Sequence, residues 1–160
     1  MIAFNLSSPS VTAQLGYSLG SVCEPGDMIC LGGDLGAGKT TLAQHIAVGL
    51  GIDPQEYITS PTFAIFHEHF GRLPLYHMDF YRLNSSFEVI ELGLEEYFYQ
   101  SGLTVIEWYE NALDILPKDY LQIDLEVVAE SKRKAVCHGH SKIWTNKLAT
   151  VAVLLNKRTD

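Results

Sequence analysis

One glycine-rich segment constrains this chain more than any other: the run GDLGAGKT, which begins at Gly33 and ends at Thr40. A short apolar run, residues 28–31, precedes it, and residues 39–50 have the composition of a helix. A buried strand followed by a glycine-rich turn and a helix is the structural context of a phosphate-binding loop. The pattern G-x-x-x-x-G-K-[ST] is matched in full, and we predict a P-loop here.

The loop's chemistry depends on its spacing. Glycines let the backbone curl without Cβ obstruction, so that amides point at phosphate oxygens, and the following helix adds its positive end. Lys39 is expected to reach the β- and γ-phosphates and Thr40 to hold magnesium. The predicted ligands are therefore ATP or ADP with Mg²⁺. The residues expected to bind the nucleotide are Gly33, Asp34, Leu35, Gly36, Ala37, Gly38, Lys39, Thr40 and Thr41.

A P-loop also needs an acidic group near the magnesium and a group that orients the attacking water. Glu107 ends the apolar run 103–107, where a charge at the end of a buried strand needs a partner or a cation. The alternative is a surface glutamate just past the strand. Asp79 ends another predicted strand, and its alternative role is a simple salt bridge with Arg82.

A short polar segment lies between the P-loop helix and the next strands. Ser60, Pro61 and Thr62 carry two hydroxyls that could sense a γ-phosphate, as a switch segment does. The alternative is an ordinary Ser-Pro turn, which the residues alone favour.

Composition sets the broad class. The chain has 160 residues, 47% of them apolar, and a formal net charge of −8. These values predict a single domain over residues 1–160 that does not bind DNA or RNA non-specifically by itself. Three cysteines with irregular spacing predict no disulfide framework. No signal peptide or membrane-spanning stretch is recognised, so a cytoplasmic location is expected.

Apolar periodicity predicts the order of the elements. Strands are expected near residues 2–6, 28–31, 62–70, 73–80, 103–107, 121–128 and 134–138, with the third and fourth joined in a hairpin around Gly71. Helices are expected from the Ser8-Pro9 cap to Val22, over 39–50, from a Ser85/Glu88 capping box to about residue 99, and over 143–155. This order predicts an α/β, three-layer P-loop NTPase-like fold with a mixed central sheet that includes a hairpin insertion.

Together these segments resemble the TsaE family, also called YjeE, the small ATPase of the bacterial system that makes threonylcarbamoyladenosine in tRNA. The resemblance covers nearly the whole chain. It rests on GGDLGAGKTTL, SPTF, HMDFYRL, LGLEEYF, VIEWYE and LPKDYLQIDL, which occur in the family's order and spacing. The most specific set is SPTF, then D-x-Y-R, then I-E-W.

The resemblance implies an ATP-binding and ATP-hydrolysing accessory protein that does not itself transfer the carbamoyl group. Such a protein docks on the TsaD–TsaB heterodimer, meets tRNA only indirectly through that complex, and is a slow ATPase alone. By resemblance, Thr40 and Glu107 are the magnesium residues and Asp79 is the residue required for hydrolysis. Residues 60–63 become a nucleotide-sensing loop, Trp108 lies beside the site and Arg133 contacts the nucleotide.

Two departures from the family concern regions outside the phosphate chemistry. Gln44-His45 stands where family members often have Arg-Gly, and Phe80 follows Asp79 in place of the frequent leucine. These differences leave the adenine pocket and the partner surface open.

Two other functions remain as alternatives. A small-molecule kinase usually places several arginines around the transferred phosphoryl group, and arginine is sparse here. A GTPase would need N-K-x-D after a buried strand, and Asn156-Lys157 is a near match in which the aspartate, Asp160, comes one residue late. The run Cys137-His138-Gly139-His140 has the residue types of a zinc site but no second ligand pair at suitable spacing.

Overall fold

The computed structural model describes residues 1–56 and 58–157. The strands are β1 (Ile2–Leu6), β2 (Met28–Gly32), β3 (Phe66–Phe70), β4 (Pro74–Asp79), β5 (Leu103–Glu107), β6 (Leu121–Ala129) and β7 (Lys132–Gly139). The α-helices are α1 (Pro9–Val22), α2 (Lys39–Gly49), α3 (Ser86–Glu91) and α4 (Lys142–Asn156). Two 3-10 helices, Leu94–Tyr99 and Tyr109–Ile115, flank β5 along the chain.

The described strands form one mixed sheet in the order β1-β7-β6-β2-β5-β4-β3. The four middle strands, β6, β2, β5 and β4, run parallel, whereas β1, β7 and β3 pair antiparallel to their neighbours. The predicted hairpin is the β3–β4 pair at one edge of the sheet. Because the middle strands are parallel, their carboxyl ends meet at one edge, which is where the P-loop leaves β2.

Helical layers cover both faces of the sheet. One buried cluster joins the apolar sides of α1, α2 and α4 to the sheet, and the second lies under α3 and the 3-10 helices. Every residue of β2 and β5 is buried, as expected for parallel strands that are covered on both faces. This arrangement confirms the predicted three-layer α/β fold. That residues 1–160 form a single domain stays a prediction.

Local rules account for how α1 begins and how it packs. Ser8 is the N-cap, its hydroxyl accepts a hydrogen bond from the Val11 amide, and Pro9 occupies the first turn, as the sequence predicts. Helix α1 then lies against α2 at very short range. A Cβ added to Gly20 would stand 2.1 Å from the Ile46 carbonyl oxygen, so only glycine allows this approach.

Two predicted elements differ from the structure. The strand expected over 62–70 starts only at Phe66, because residues 62–65 form a turn in which Ile65 has φ 69° and its amide donates to the Pro61 carbonyl oxygen. The helix expected from Ser85 to about residue 99 is interrupted at Gly93, which has φ 70°. The Ser85 side chain makes no capping hydrogen bond.

Two sequence interpretations concern the end of the chain and the membrane. The near match to N-K-x-D begins at Asn156, the last residue of α4, and so comes at the end of a helix and not after a buried strand. Its last residues, 158–160, lie outside the described part of the chain. Over the described ranges, no helix is both long enough and apolar enough to cross a bilayer.

Candidate functional site

The glycine pattern of the P-loop matches its backbone. Gly33, Gly36 and Gly38 have φ of 126°, 78° and 108°, values that side-chain-bearing residues rarely adopt. Gly33 also lies so close to β6 that an added Cβ would stand 2.5 Å from the Leu125 carbonyl oxygen. Helix α2 begins directly after Gly38, so its first-turn amides and the positive end of its dipole face the loop.

Lys39 lies inside the loop. Its Nζ donates hydrogen bonds to the carbonyl oxygens of Gly33 at 2.6 Å and Asp34 at 2.9 Å, and it stands 4.0 Å from the centroid of the Trp108 ring. Burial lowers the pKa of Lys39, and nearby carboxylates, Glu107 foremost, act in the opposite direction. A bound polyphosphate would add negative charge and favour the ammonium form further.

Glu107 ends β5 and is only 2% exposed. The Thr40 hydroxyl lies 3.1 Å from Glu107 Oε1 and 3.0 Å from Oε2. On the opposite side, His77 Nε2 lies 2.8 Å from Oε1. Glu107 is therefore a buried carboxylate and not the surface glutamate of the alternative interpretation.

The donor set suits magnesium. Mg²⁺ prefers oxygen ligands and is commonly held by one or two carboxylates together with substrate phosphates. Thr40 and Glu107 supply a hydroxyl and a carboxylate at the mouth of the phosphate loop. These residues fit the ion that the P-loop motif implies.

Asp79 ends β4 and is the register neighbour of Glu107 on β5. Its Oδ2 accepts hydrogen bonds from the hydroxyls of Ser60 and Thr62, the latter at 3.0 Å, and its Oδ1 accepts from the Tyr81 amide at 2.8 Å. Asp79 is 2% exposed, and these contacts tie the 60–62 segment to the end of β4.

Arg82 does not take the role that the salt-bridge alternative gives it. Its guanidinium carbon lies 4.8 Å from the centroid of the Phe63 ring. Among the ion pairs of the described residues, none joins Arg82 to Asp79. The charge of Asp79 is stabilised by hydroxyl and amide donors instead.

These groups line one open cleft of about 340 Å³. Trp108 forms part of its wall and has φ 58°, an uncommon conformation for a bulky residue that is often found at functional sites. Pro61 does not line the cleft itself, but its neighbours Ser60 and Thr62 do. The cleft is lined by Leu35, Gly36, Gly38, Lys39, Thr40, Thr41, Ser60, Thr62, Asp79, Tyr81, Glu107 and Trp108.

Arg133 lies outside this cleft, on the other side of the P-loop. Its Nε donates to the Ala37 carbonyl oxygen at 3.0 Å, and its Nη1 donates to backbone carbonyls of the β6–β7 turn. Arg133 lines a second depression of about 550 Å³. Gly38 and Thr41 line both this depression and the phosphate cleft. Arg133 thus supports the loop backbone from behind.

The unusual pair Gln44-His45 lies on α2, away from the loop. The Gln44 amide donates to the Ile58 carbonyl oxygen at 2.6 Å, and the Cβ of His45 faces Gly16 of α1. Both residues line a third depression next to residues 52–56. Neither lines the phosphate cleft.

Two residues near the cleft were not singled out from the sequence. His77 lies two residues before Asp79, and strand alternation places both on the same face of the sheet. This spacing was the sequence signal that could have identified His77 as a residue of the site. Glu110 lies in the 3-10 helix after Trp108, and burial raises the pKa of its carboxyl, with the Asp124 charge acting in the same direction. Nothing in the local sequence distinguishes Glu110 from an exposed glutamate.

Comparisons with known proteins show the family of this chain. The family described as "Threonylcarbamoyl adenosine biosynthesis protein TsaE" matches residues 6–135. A "tRNA threonylcarbamoyladenosine biosynthesis protein TsaE" from Treponema pallidum is 44% identical over 123 residues, which cover 77% of this chain and 90% of that protein. The protein of the same name from Bacillus subtilis is 41% identical over 128 residues, covering 79% of this chain and 78% of that one.

A solved structure gives the same result. The crystal structure of Bacillus subtilis YdiB superposes with a TM-score of 0.78 at 31% identity, covering 99% of this chain and 96% of that one. The match therefore extends over nearly the whole of both chains. The chain belongs to the TsaE family of tRNA threonylcarbamoyladenosine biosynthesis proteins.

Proposed function

We propose that this protein binds and slowly hydrolyses ATP with magnesium, and that it serves threonylcarbamoyladenosine modification of tRNA as an accessory ATPase. In this proposal it docks on the TsaD–TsaB heterodimer according to its bound nucleotide and does not transfer the carbamoyl group itself. The observation that carries the proposal is the Thr40–Glu107 contact at the mouth of the phosphate loop, with Asp79 beside it on the neighbouring strand.

The loop residues bind the phosphates. The loop amides and the first-turn amides of α2 would donate hydrogen bonds to the phosphate oxygens. The Lys39 ammonium would move from the carbonyls of Gly33 and Asp34 to the β- and γ-phosphates. Thr40 and Glu107 would hold Mg²⁺, which when bound neutralises charge on the transferred phosphoryl group. Asp79 then orients the attacking water as a general base or positioning group.

The 60–62 segment links this chemistry to the surface. The hydroxyls of Ser60 and Thr62 both donate to Asp79, so a γ-phosphate beside Asp79 competes for the same donors. Phe63, which follows, is 84% exposed. We propose that residues 60–63 report the nucleotide state in this way, as switch segments do.

The second depression is the proposed place for the nucleoside. Gly38 and Thr41 line both the phosphate cleft and this depression, so a ligand can pass from one to the other across the start of α2. Pro9, Leu125 and Arg133 supply apolar and cationic surface there. Arg133 would contact the nucleotide from this side.

Charge and composition support the remaining parts of the proposal. A net charge of −8 opposes direct binding to nucleic-acid phosphates, so tRNA is met only through the partner complex, and neither DNA nor a membrane is a partner. We also propose a cytoplasmic location.

Calorimetric titration with ATP, ADP and GTP tests the nucleotide part of the proposal. We expect micromolar or tighter binding of ATP and ADP, weaker binding of GTP, and loss of useful ATP affinity in Lys39→Ala. Lys142→Ala, at an exposed position at the start of α4, is the matched control and should bind normally. Unchanged ATP affinity in Lys39→Ala would remove the P-loop assignment.

Turnover measurements test the partner. ATP hydrolysis should be slow for the protein alone and should rise when the TsaD–TsaB heterodimer is added, because a partner can order an incomplete site. A high basal rate that the heterodimer leaves unchanged contradicts this part of the proposal. A phosphoryl-acceptor screen that yields a phosphorylated small molecule would favour the kinase alternative instead.

A further inference from the structure

His77 is the one histidine of the described residues with no exposed surface, at 0%. It lies on β4, the outermost of the four parallel strands, between β5 and the edge strand β3, and its register partner on β5 is Val105. Its Nε2 reaches diagonally across to Glu107 Oε1 at 2.8 Å, a neighbouring position on the same face of the sheet. Its Nδ1 is buried and has no hydrogen-bond partner in the described part of the chain.

A buried imidazole with one unpartnered nitrogen is an expensive core residue. Leucine or valine would pack at this position without leaving a polar atom unsatisfied. The benefit that offsets this cost has to come from Nε2, whose contact is Glu107. Because a carboxylate oxygen only accepts, the bond requires the proton on Nε2.

The bond from His77 completes the restraint of Glu107. The Thr40 hydroxyl has a single hydrogen yet lies within 3.1 Å of both carboxylate oxygens, so Thr40 alone does not decide which oxygen faces it. The hydrogen bond from His77 to Oε1 fixes the orientation of the carboxylate. It leaves lone pairs on Oε2 and on Oε1 free for other ligands. The His77 imidazole and the Glu107 carboxylate are both buried, and both lie on strands of the sheet.

We infer that His77 is a positioning residue that holds the Glu107 carboxylate in the orientation that binds magnesium. The inference rests on the proposed function, since it assumes that Glu107 is the metal-binding carboxylate. Hydrogen-bond partners of metal-binding side chains typically contribute about tenfold to a hundredfold in metal affinity. His77 is expected to act on that scale without touching nucleotide.

The test measures how strongly magnesium and nucleotide binding are coupled. ADP affinity is determined with Mg²⁺ and with EDTA for the wild type, His77→Leu and His77→Gln. We expect His77→Leu to lose about tenfold to a hundredfold of the coupling with unchanged affinity in EDTA. His77→Gln, whose amide N–H has about the reach of Nε2, should restore most of it.

His69→Leu is the matched control. His69 is also a largely buried histidine, 9% exposed, and its Nδ1 contacts the Glu56 carboxylate at 2.5 Å, but it lies on β3 outside the cleft. The same substitution there should leave the magnesium coupling unchanged. The inference would be overturned if His77→Leu kept the full coupling between magnesium and ADP binding. It would also be overturned if His77→Leu and His77→Gln lost this coupling equally and both had lower melting temperatures.

Two further outcomes keep the inference apart from the proposed function. If the wild type itself shows no magnesium coupling, the metal assignment of Glu107 fails and the inference falls with it. If His77→Leu does not fold, ¹⁵N spectra of the wild type decide the matter, with the His77 signals assigned from their absence in His77→Gln. We expect the Nε2–H tautomer and a shift of Nε2 on adding Mg²⁺ with ADP; an unprotonated Nε2 contradicts the inference.

Discussion

Asp79→Asn separates the chemical role of this residue from its structural role. The amide keeps the size of the carboxyl group and one acceptor oxygen, which can continue to accept from the Tyr81 amide. The substitution removes the negative charge that Ser60 and Thr62 donate to. The proposed chemical role of Asp79 and its structural role are therefore both perturbed, and each has its own measurable consequence.

The effect on stability follows from the two hydroxyl contacts. A hydrogen bond to a charged group contributes about 1.5–3 kcal/mol, and one between neutral groups about 0.5–1.5 kcal/mol. Replacing two bonds of the first kind by two of the second costs about 2–3 kcal/mol. For a chain of this length that corresponds to a melting temperature lower by about 4–12 °C.

The effect on turnover is expected to be larger. Losing a general base or water-positioning group typically reduces a rate by about a hundredfold or more, so ATP hydrolysis should fall at least that far. ADP affinity should stay near normal, because in the proposed function the loop and α2 bind the α- and β-phosphates and β4 does not. Modification of tRNA in a reconstituted system should fail in parallel.

Two control variants make the outcome decisive. Ser60→Ala with Thr62→Val removes the same two hydroxyl donors but keeps the carboxylate, so it should lose similar stability and less hydrolysis than Asp79→Asn. Arg82→Gln should change neither strongly, since Arg82 contacts Phe63 and not Asp79. Normal turnover in Asp79→Asn together with a lowered melting temperature would refute the catalytic role and leave Asp79 as a tether for residues 60–62.

Three further predictions concern the scaffold. Burial lowers the pKa of Lys147, but hydrogen bonds and charges from its acidic neighbours, Asp27 foremost, raise it by more. Lys147→Met should therefore lose about 1–3 kcal/mol of stability at neutral pH. The difference in stability from the wild type should vanish as the pH rises above about 10.4, where the lysine loses its charge. Gly20→Ala should destabilise by more than about 1 kcal/mol in urea unfolding, because the new Cβ meets the Ile46 carbonyl oxygen, whereas Ser21→Ala on the exposed side of α1 should stay within about 0.5 kcal/mol. Burial raises the pKa of all three cysteine thiols, so a thiol reagent at pH 8 should label the native protein slowly and the urea-unfolded protein fully.

Features governed by local rules could be predicted from the sequence. The P-loop, the start of α1 and the buried strand before Glu107 each follow from a few adjacent residues with a defined spacing. The pairing of Thr40 with Glu107, 67 residues apart, came only from the family resemblance. The structure supplies its physical reason: β2 and β5 are parallel neighbours, so the P-loop helix after β2 begins beside the residue that ends β5.

Features that depend on tertiary contacts could not be predicted in this way. The alternation around Ile65 is typical of a strand, but the structure places this β-branched residue at φ 69°, against its intrinsic preference. The turn is held by the bonds of Ser60 and Thr62 to Asp79, a partner on another strand. Likewise, no local signal distinguishes Gly93 as a helix break from a glycine tolerated inside a helix.

The register between β4 and β5 determines how the two acidic residues of the cleft differ. Asp79 and Glu107 are direct neighbours across this parallel pair, so their charges would oppose each other without donors. Each has its own: hydroxyls of the 60–62 segment donate to Asp79, and Thr40 of α2 and His77 of β4 face Glu107. A register shift of one residue in β5 would turn Glu107 to the opposite face and break its contacts with Thr40 and His77. The same shift in β4 would turn both Asp79 and His77 away and break both sets of contacts. The two carboxylates are therefore adjacent but not interchangeable, since Asp79 is tied to the 60–62 segment and Glu107 to Thr40 of α2.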